Sequence, residues 1–199
     1  MRGLKDKVVI VTGGAGGIGK ATCCRFADEG AKVAIFDLNA EAAEAAAAEI
    51  KESGGVAEAV VVDLTDYEAV QKAVADTENS LGPIDVLVNN AGWDRFTPFL
   101  KTEPDFWQKL IGINLLSVLN MSHVVVAGMA ARGSGRVVNV ASDAGRVGSS
   151  GESVYAACKG GIIAFTKTLA REHARQGLTF NTVCPGLTET AMFDGFLEA

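Results

Sequence analysis

The chain has 199 residues, 48% of them apolar and 21% charged, with a net charge of −6 at pH 7. That length predicts one globular domain with a large core, and the acidic balance argues against nucleic acid or a membrane surface as partner. No run reads as the roughly 20 apolar residues of a membrane span.

"MRGLKDKVVIVTGG" opens with a short apolar strand running into glycines, unlike a signal-peptide core. "KVVIVTG" (7–13) predicts strand one, and a helix runs from Gly17 to about Glu29. "AKVAIFD" (31–37) predicts strand two, and "AEAAEAAAAEIKES" (40–53) a helix stopped by "GG". "VAEAVVVD" (56–63) is strand three, and 65–82 a helix with Thr65 as its cap. "IDVLVNNAG" (84–92) reads as strand and turn, and 104–131 as a long helical region. "GRVVNVAS" (135–142) is strand five, 153–176 a helix, and "LTFNTVCPG" (178–186) strand six. Strands alternating with helices predict an α/β fold, a Rossmann-type doubly wound parallel sheet with helices on both faces, over 1–199 as a single domain. The wholly apolar runs "VVIV", "VVV" and "VLV" suit strands buried on both sides.

"TGGAGGIG" (12–19) sits at the first strand-to-helix turn and contains Gly13, Gly14, Gly16, Gly17, Ile18 and Gly19. Glycines there let backbone N–H groups approach a pyrophosphate at a helix N-terminus. Asp37 ends the second strand, eighteen residues beyond Gly19, where a carboxylate can accept hydrogen bonds from an adenosine ribose. A carboxylate also repels a 2′-phosphate, and the loop glycines have no Arg or Lys among them, so the expected cofactor is NAD rather than NADP. The alternatives are a ligand-free glycine turn and a strand-end turn residue.

"SVYAACKGG" (153–161) places Tyr155 and Lys159 four apart, on one face of a helix, about 5–6 Å apart at Cβ. Alone, that is an ordinary surface pair. Ser142 by itself reads as a strand-end cap and Asn114 as a core amide. The four thiols have no CxxC spacing, and His123 and His173 no ligand spacing, so no metal is expected and the compartment reads as reduced and cytoplasmic.

Taken in order, the glycine loop, Asp63, "NNAG" (89–92), Ser142 and Tyr155/Lys159 resemble the short-chain dehydrogenase/reductase family from residue 7 to about 190. The resemblance implies NAD-dependent oxidation of a secondary alcohol to a ketone. Tyr155 would be the general base, Lys159 the cation that lowers its pKa and holds the nicotinamide ribose, and Ser142 the hydroxyl that positions the substrate oxygen. Asn114 would bend its helix and connect Lys159 to a water chain. Leu38, Asp63, Leu64, Asn90 and Gly92 would lie along adenosine and ribose. Pro185, Gly186, Thr188 and Thr190 match the "PGxxxT" segment near the nicotinamide amide. Family members usually form tetramers, and they continue past this sequence through a further helix and a seventh strand, which makes a fragment one reading of the chain.

Substrate contacts are expected from the loops beyond the strand ends, with Trp93, Asp94, Ser142, Asp143, Arg146, Glu152, Tyr155 and Met192 as candidates. "NNAGWDRFTPFLKTEPDFW" and "ASDAGRVGSSGESVYAACKGG" are similar to family members that oxidise a cyclic hydroxyacyl-CoA. Arg95, Lys101 and Arg146 would then be the cations for its phosphates. The alternatives are a 3-oxoacyl thioester reductase, another secondary-alcohol dehydrogenase, or a module that senses NAD(H) without turnover.

Overall fold

The computed structural model describes residues 3–190. Its six strands are β1 Val8–Thr12, β2 Lys32–Asp37, β3 Val56–Val61, β4 Ile84–Asn89, β5 Gly135–Val140 and β6 Leu178–Val183. All neighbours pair in parallel, in the order β3-β2-β1-β4-β5-β6. The chain starts in the middle, winds outward to β3, then returns to lay β4 beside β1. The crevice above the β1/β4 junction is therefore the switch point where such sheets bind ligands.

The helices are α1 Gly17–Asp28, α2 Ala40–Glu52, α3 Tyr67–Leu81, α4 Pro104–Ile111, α5 Ser117–Arg132, α6 Ala144–Val147 and α7 Ser153–Glu172. Strand alternation sorts them onto two faces. Val9 and Val11 pack with Cys23 of α1 and with Ala43, Ala46, Ala47 and Ile50 of α2. Val8 and Ile10 face the other way, onto Val70 and Val74 of α3 and Met121, Val125 and Met129 of α5. Every residue of β1 is buried. Each such Val or Ile contributes about 1.5–3 kcal/mol by leaving water, which is why the strand is apolar on both sides rather than alternating. The alanines of α2 recur at the helical period, so the alanine-rich stretch is an ordinary helix with one packed stripe.

Several boundaries differ from the sequence expectation. Thr65 does not cap α3. Its backbone N–H and hydroxyl both donate to Asp63 Oδ1, at 2.9 and 2.7 Å, and the cap is Asp66, which accepts from the N–H groups of Glu68 and Ala69. β3 and β5 end two residues before Asp63 and Ser142, so both residues stand on turns at the crevice rather than in strands. α7 ends at Glu172, not 176. The short helix α6 was not anticipated; with four residues it has no sequence period to read.

The long helical region is interrupted by a π-helical turn, Gly112–Leu116, between α4 and α5. Asn114 sits inside it and donates from Nδ2 to the carbonyl of Leu110 at 3.0 Å. A side chain in the ladder widens it locally, the expected origin of such a turn. By length and composition Pro104–Arg132 could cross a membrane, against the sequence expectation. In the fold half of its apolar window is buried, and α5 lies on the sheet as a core helix.

Candidate active site

A cleft of about 890 Å³ opens above the C-terminal ends of the strands. The glycine loop that forms one wall is fixed by the backbone. Gly13 has φ +60°, and a Cβ there would lie 2.9 Å from Ala91 Cα. At Gly19 a Cβ would meet the Gly13 carbonyl at 2.0 Å, so only hydrogen fits where α1 begins. Asp37 Oδ2 accepts from the Ala15 N–H at 3.1 Å and Oδ1 from the Asn39 N–H at 3.0 Å. The carboxylate thus holds the loop in shape while still lining the cleft.

Thr12 and Asn90 clasp β1 to β4. The Thr12 hydroxyl oxygen accepts from the N–H groups of Asn90 and Ala91, at 2.9 and 3.0 Å. Asn90 Nδ2 returns bonds to the carbonyls of Thr12 and Gly13. The amide of Asn90, expected along the ribose, is thus engaged in shaping the loop, and Thr12 is a positioning residue that sequence reasoning missed. Deeper, buried Asn89 donates to Asn139 Oδ1 at 2.8 Å, and Asn139 donates to Thr166 Oγ1 at 2.8 Å. This polar chain ties β4, β5 and α7 together beneath the cleft.

Ser142, Tyr155 and Lys159 all line the cleft, as expected. Lys159 is 2% exposed and donates to the Val140 carbonyl at 3.0 Å. Its nitrogen stands 5.5 Å from the Tyr155 ring centroid. Burial pulls the ammonium down to about 8. The phenol departs from the sequence expectation: burial pushes Tyr155 up to about 12, a hydrogen bond with Ser142 acts against that, and Asp94 and Glu152 add to the rise. Lys159 directs its hydrogen bond at the Val140 carbonyl rather than at the phenol. Asn114 is fully buried, and its side chain brackets Trp93 by accepting from its N–H at 3.1 Å and donating to its carbonyl at 2.7 Å. It also stands against Gly92, where a Cβ would lie 3.0 Å from Asn114 Oδ1 and 3.3 Å from Lys159 Nζ.

Of the two glycines of "SVYAACKGG", Gly160 has a local explanation, since a Cβ there would lie 3.3 Å from the Gly145 carbonyl, whereas a Cβ on Gly161 would meet only ordinary contact with Leu115 at 3.8 Å. A Cβ on Gly145 of α6 would lie 2.7 Å from the backbone of both Lys159 and Gly160, so α6 rests directly on the turn that carries the lysine. Cys158, beside Lys159, is a buried thiol whose pKa burial raises, which suits packing rather than reactivity.

Of the remaining candidates, Gly16, Gly17, Ile18, Leu38, Asp63, Leu64, Gly92, Trp93, Asp94, Asp143, Glu152, Pro185, Gly186, Thr188 and Thr190 also line the cleft. Gly14, Gly19 and Asn114 stand behind the lining and shape it. Arg146 does not line it; its guanidinium pairs with Asp143 at 3.0 Å on an exposed turn, because α6 carries it away from the wall. Lys101 lies outside the lining as well, and the Arg95 guanidinium stacks 5.0 Å over the Phe106 ring. Lys109, unremarked in the sequence, lines the cleft with its ammonium 4.0 Å over the Trp93 ring. Met192 lies outside the described residues.

Comparison with known proteins agrees with this geometry. The short chain dehydrogenase family model matches residues 7–198, and the chain belongs to that family. The acetoacetyl-CoA reductase of Rhizobium meliloti (strain 1021) is 41% identical over 188 residues, 94% of this chain and 76% of the relative. A subunit of the (2S)-[(R)-hydroxy(phenyl)methyl]succinyl-CoA dehydrogenase of Thauera aromatica is 38% identical over 196 residues, 98% and 79% of the two chains. A crystal structure of NAD+-bound xylitol dehydrogenase superposes with a TM-score of 0.90 at 37% identity, covering 93% of this chain and 72% of that one. The chain is accordingly an oxidoreductase of secondary alcohols and ketones that works with a nicotinamide cofactor.

Proposed function

We propose that the chain catalyses NAD-dependent oxidation of 2-hydroxycyclohexane-1-carboxyl-CoA to its 2-oxo product, within a route of aromatic-compound degradation. The observation that carries the reaction is that Ser142, Tyr155 and Lys159 line the same cleft as the glycine loop. The residues fit a dinucleotide. Gly16 faces open space, with nothing within 4 Å of a Cβ built there, and Asp37 stands where the adenosine ribose would lie. Its cleft neighbours Leu38, Asn39, Ala42 and Asp63 include no cation for a 2′-phosphate, which favours NAD over NADP.

When bound, the nicotinamide supplies the hydride acceptor. Tyr155 takes the proton from the substrate hydroxyl, which Ser142 orients through its own hydrogen bond. A phenol held near 12 is the acid form at neutral pH, so alcohol oxidation gains rate as pH rises toward that value, whereas ketone reduction is level around neutrality and declines only as pH approaches it. Lys159 would hold a ribose hydroxyl of the dinucleotide, and its ammonium places positive charge next to Tyr155. Asn114 positions that corner by fixing the backbone at Trp93.

The thioester reading rests on the relatives, several of which are named for acyl-CoA or acyl-carrier substrates. It also rests on Lys109, which, unlike Arg95, Lys101 and Arg146, is a cation that lines the cleft. Reduction of a 3-oxoacyl thioester is the second reading, favoured by the acetoacetyl-CoA reductase similarity; it runs the same proton transfer in reverse. Assembly as a homotetramer belongs to the same reading, with half-exposed Ile111 at the end of α4 and Leu116 in the π-helical turn as apolar surface open to another copy, and light scattering is the test. Four free thiols support a reducing, cytoplasmic compartment. The decisive measurement is NAD reduction with a panel of hydroxyacyl-CoAs, with Tyr155→Phe alongside. Unchanged turnover in that variant would refute the mechanism, and cofactor binding without any turnover would favour a sensor.

A further inference from the structure

Proton transfer at Tyr155 leaves two carboxyl groups of the substrate wall unexplained. Asp94 is 6% exposed, and among the described residues neither of its carboxylate oxygens is in a well-formed hydrogen bond, the Arg95 backbone N–H being the donor beside it. Glu152, which immediately precedes α7 and lies three residues before Tyr155, is the acidic side chain that acts on it. Both carboxyls line the cleft.

The loops that carry them are clasped. The Thr97 N–H donates to the Gly151 carbonyl at 2.9 Å, and a Cβ on Gly151 would lie 3.1 Å from the Phe96 ring. The clasp keeps the backbone of the two loops, and so the bases of both side chains, side by side. Two carboxylates held together away from water do not both stay ionised, whereas a carboxylic acid donating to a carboxylate satisfies both. Burial pushes Asp94 up to about 7, Glu152 adds to the rise, and the Arg95 backbone N–H opposes it.

The other titratable groups here leave the couple alone. Tyr155 and Cys158 face it from α7, and both are driven toward their neutral forms. Lys109 of α4 stands over the Trp93 ring, Lys159 donates to Val140, and Arg95 lies over Phe106. Among the described residues no cation forms an ion pair with either carboxyl.

We propose that Asp94 and Glu152 share one proton, and that the single negative charge they retain beside Tyr155 turns away substrates bearing a free carboxylate while admitting their uncharged esters and thioesters. A hydroxy acid places its carboxylate only a few bonds from the carbon to be oxidised, within the field of the couple; a thioester at the same place is neutral. The identity of the natural thioester rests on the acyl-CoA reading above, but the charge rule does not.

The test measures kcat/KM with NAD for three forms of one compound: 2-hydroxycyclohexane-carboxylate, its ethyl ester and its CoA thioester. The wild type is expected to prefer the ester over the acid by about tenfold or more, the scale of one like charge at close range. Asp94→Asn replaces the shared proton with an amide donor and leaves one charge on Glu152, so the acid-to-ester ratio stays put. Asp94→Asn combined with Glu152→Gln removes the charge, and the ratio rises by about tenfold. Equal use of acid and ester by the wild type, or a ratio unmoved in the double variant, overturns the proposal. So does a ratio that rises fully in Asp94→Asn alone. Turnover of the ester without the thioester would refute the acyl-CoA reading and leave the charge rule standing. Infrared difference spectroscopy gives a readout independent of turnover and of the double variant's folding. The wild type should show a carboxylic-acid carbonyl band at neutral pH that Asp94→Asn lacks; absence of that band in the wild type overturns the shared proton.

Discussion

The two walls of the cleft handle their polar groups in opposite ways. On the glycine-loop side the Asp37 carboxylate, the Thr12 hydroxyl and the Asn90 amide all bond to neighbouring backbone. On the substrate side Asp94 is buried with neither carboxylate oxygen in a well-formed hydrogen bond, and Val147 and Leu187 are largely exposed. A wall that binds a fixed cofactor can be finished in advance. A wall that selects a substrate keeps unsatisfied groups, because the ligand or a shared proton completes them, and such groups cost stability.

That contrast can be broken by substitution. The largest effect is expected between the walls: Tyr155→Phe removes the proton acceptor and should lower kcat by about 10²–10⁴-fold in steady-state assays, with NAD binding retained by calorimetry. Next comes the shape of the finished wall. Gly19→Ala sets a Cβ against the Gly13 carbonyl and should abolish measurable NAD binding while α1 remains, as read by circular dichroism.

A smaller effect belongs to the packing under Lys159. Gly145→Ala should destabilise the fold by about 1–3 kcal/mol, measured by urea denaturation, because the new methyl meets backbone rather than a side chain that can turn away. Asp37→Ala should then narrow the preference for NAD over NADP without abolishing turnover, read as the ratio of kcat/KM for the two cofactors.

The unfinished wall gives the smallest and most diagnostic effect. Asp94 binds its proton more tightly in the folded chain, with a pKa raised from 3.8 to about 7. Between those values the folded state holds more protons than the unfolded one, so stability falls as pH rises and then levels off above about 7. Asp94→Asn should flatten that fall and raise Tm at pH 8 more than at pH 5, by differential scanning calorimetry.

Local patterns made much of this readable. The strands of the sheet followed from β-branched runs, and Ser142, Tyr155 and Lys159 from their order along the chain; the fold brings all three to one cleft. The misses share a cause. Thr12, Asn89 and Lys109 act through partners about 16 to 78 residues away, and no spacing rule reaches that far. Arg146 was misplaced because a four-residue helix turns it outward. The phenol of Tyr155 was expected to fall because a cation stands one turn away; burial and two acidic neighbours raise it instead.

The sequence by itself determined the winding of the sheet and which residue types meet at its edge, since hydrophobic period, glycine and strand ends are local properties of the chain. Only the tertiary structure decided their electrical state. Charge at Tyr155, Lys159 and Asp94 depends on how much water each group loses and on what the fold sets against it, and neither quantity is written in the spacing of residues.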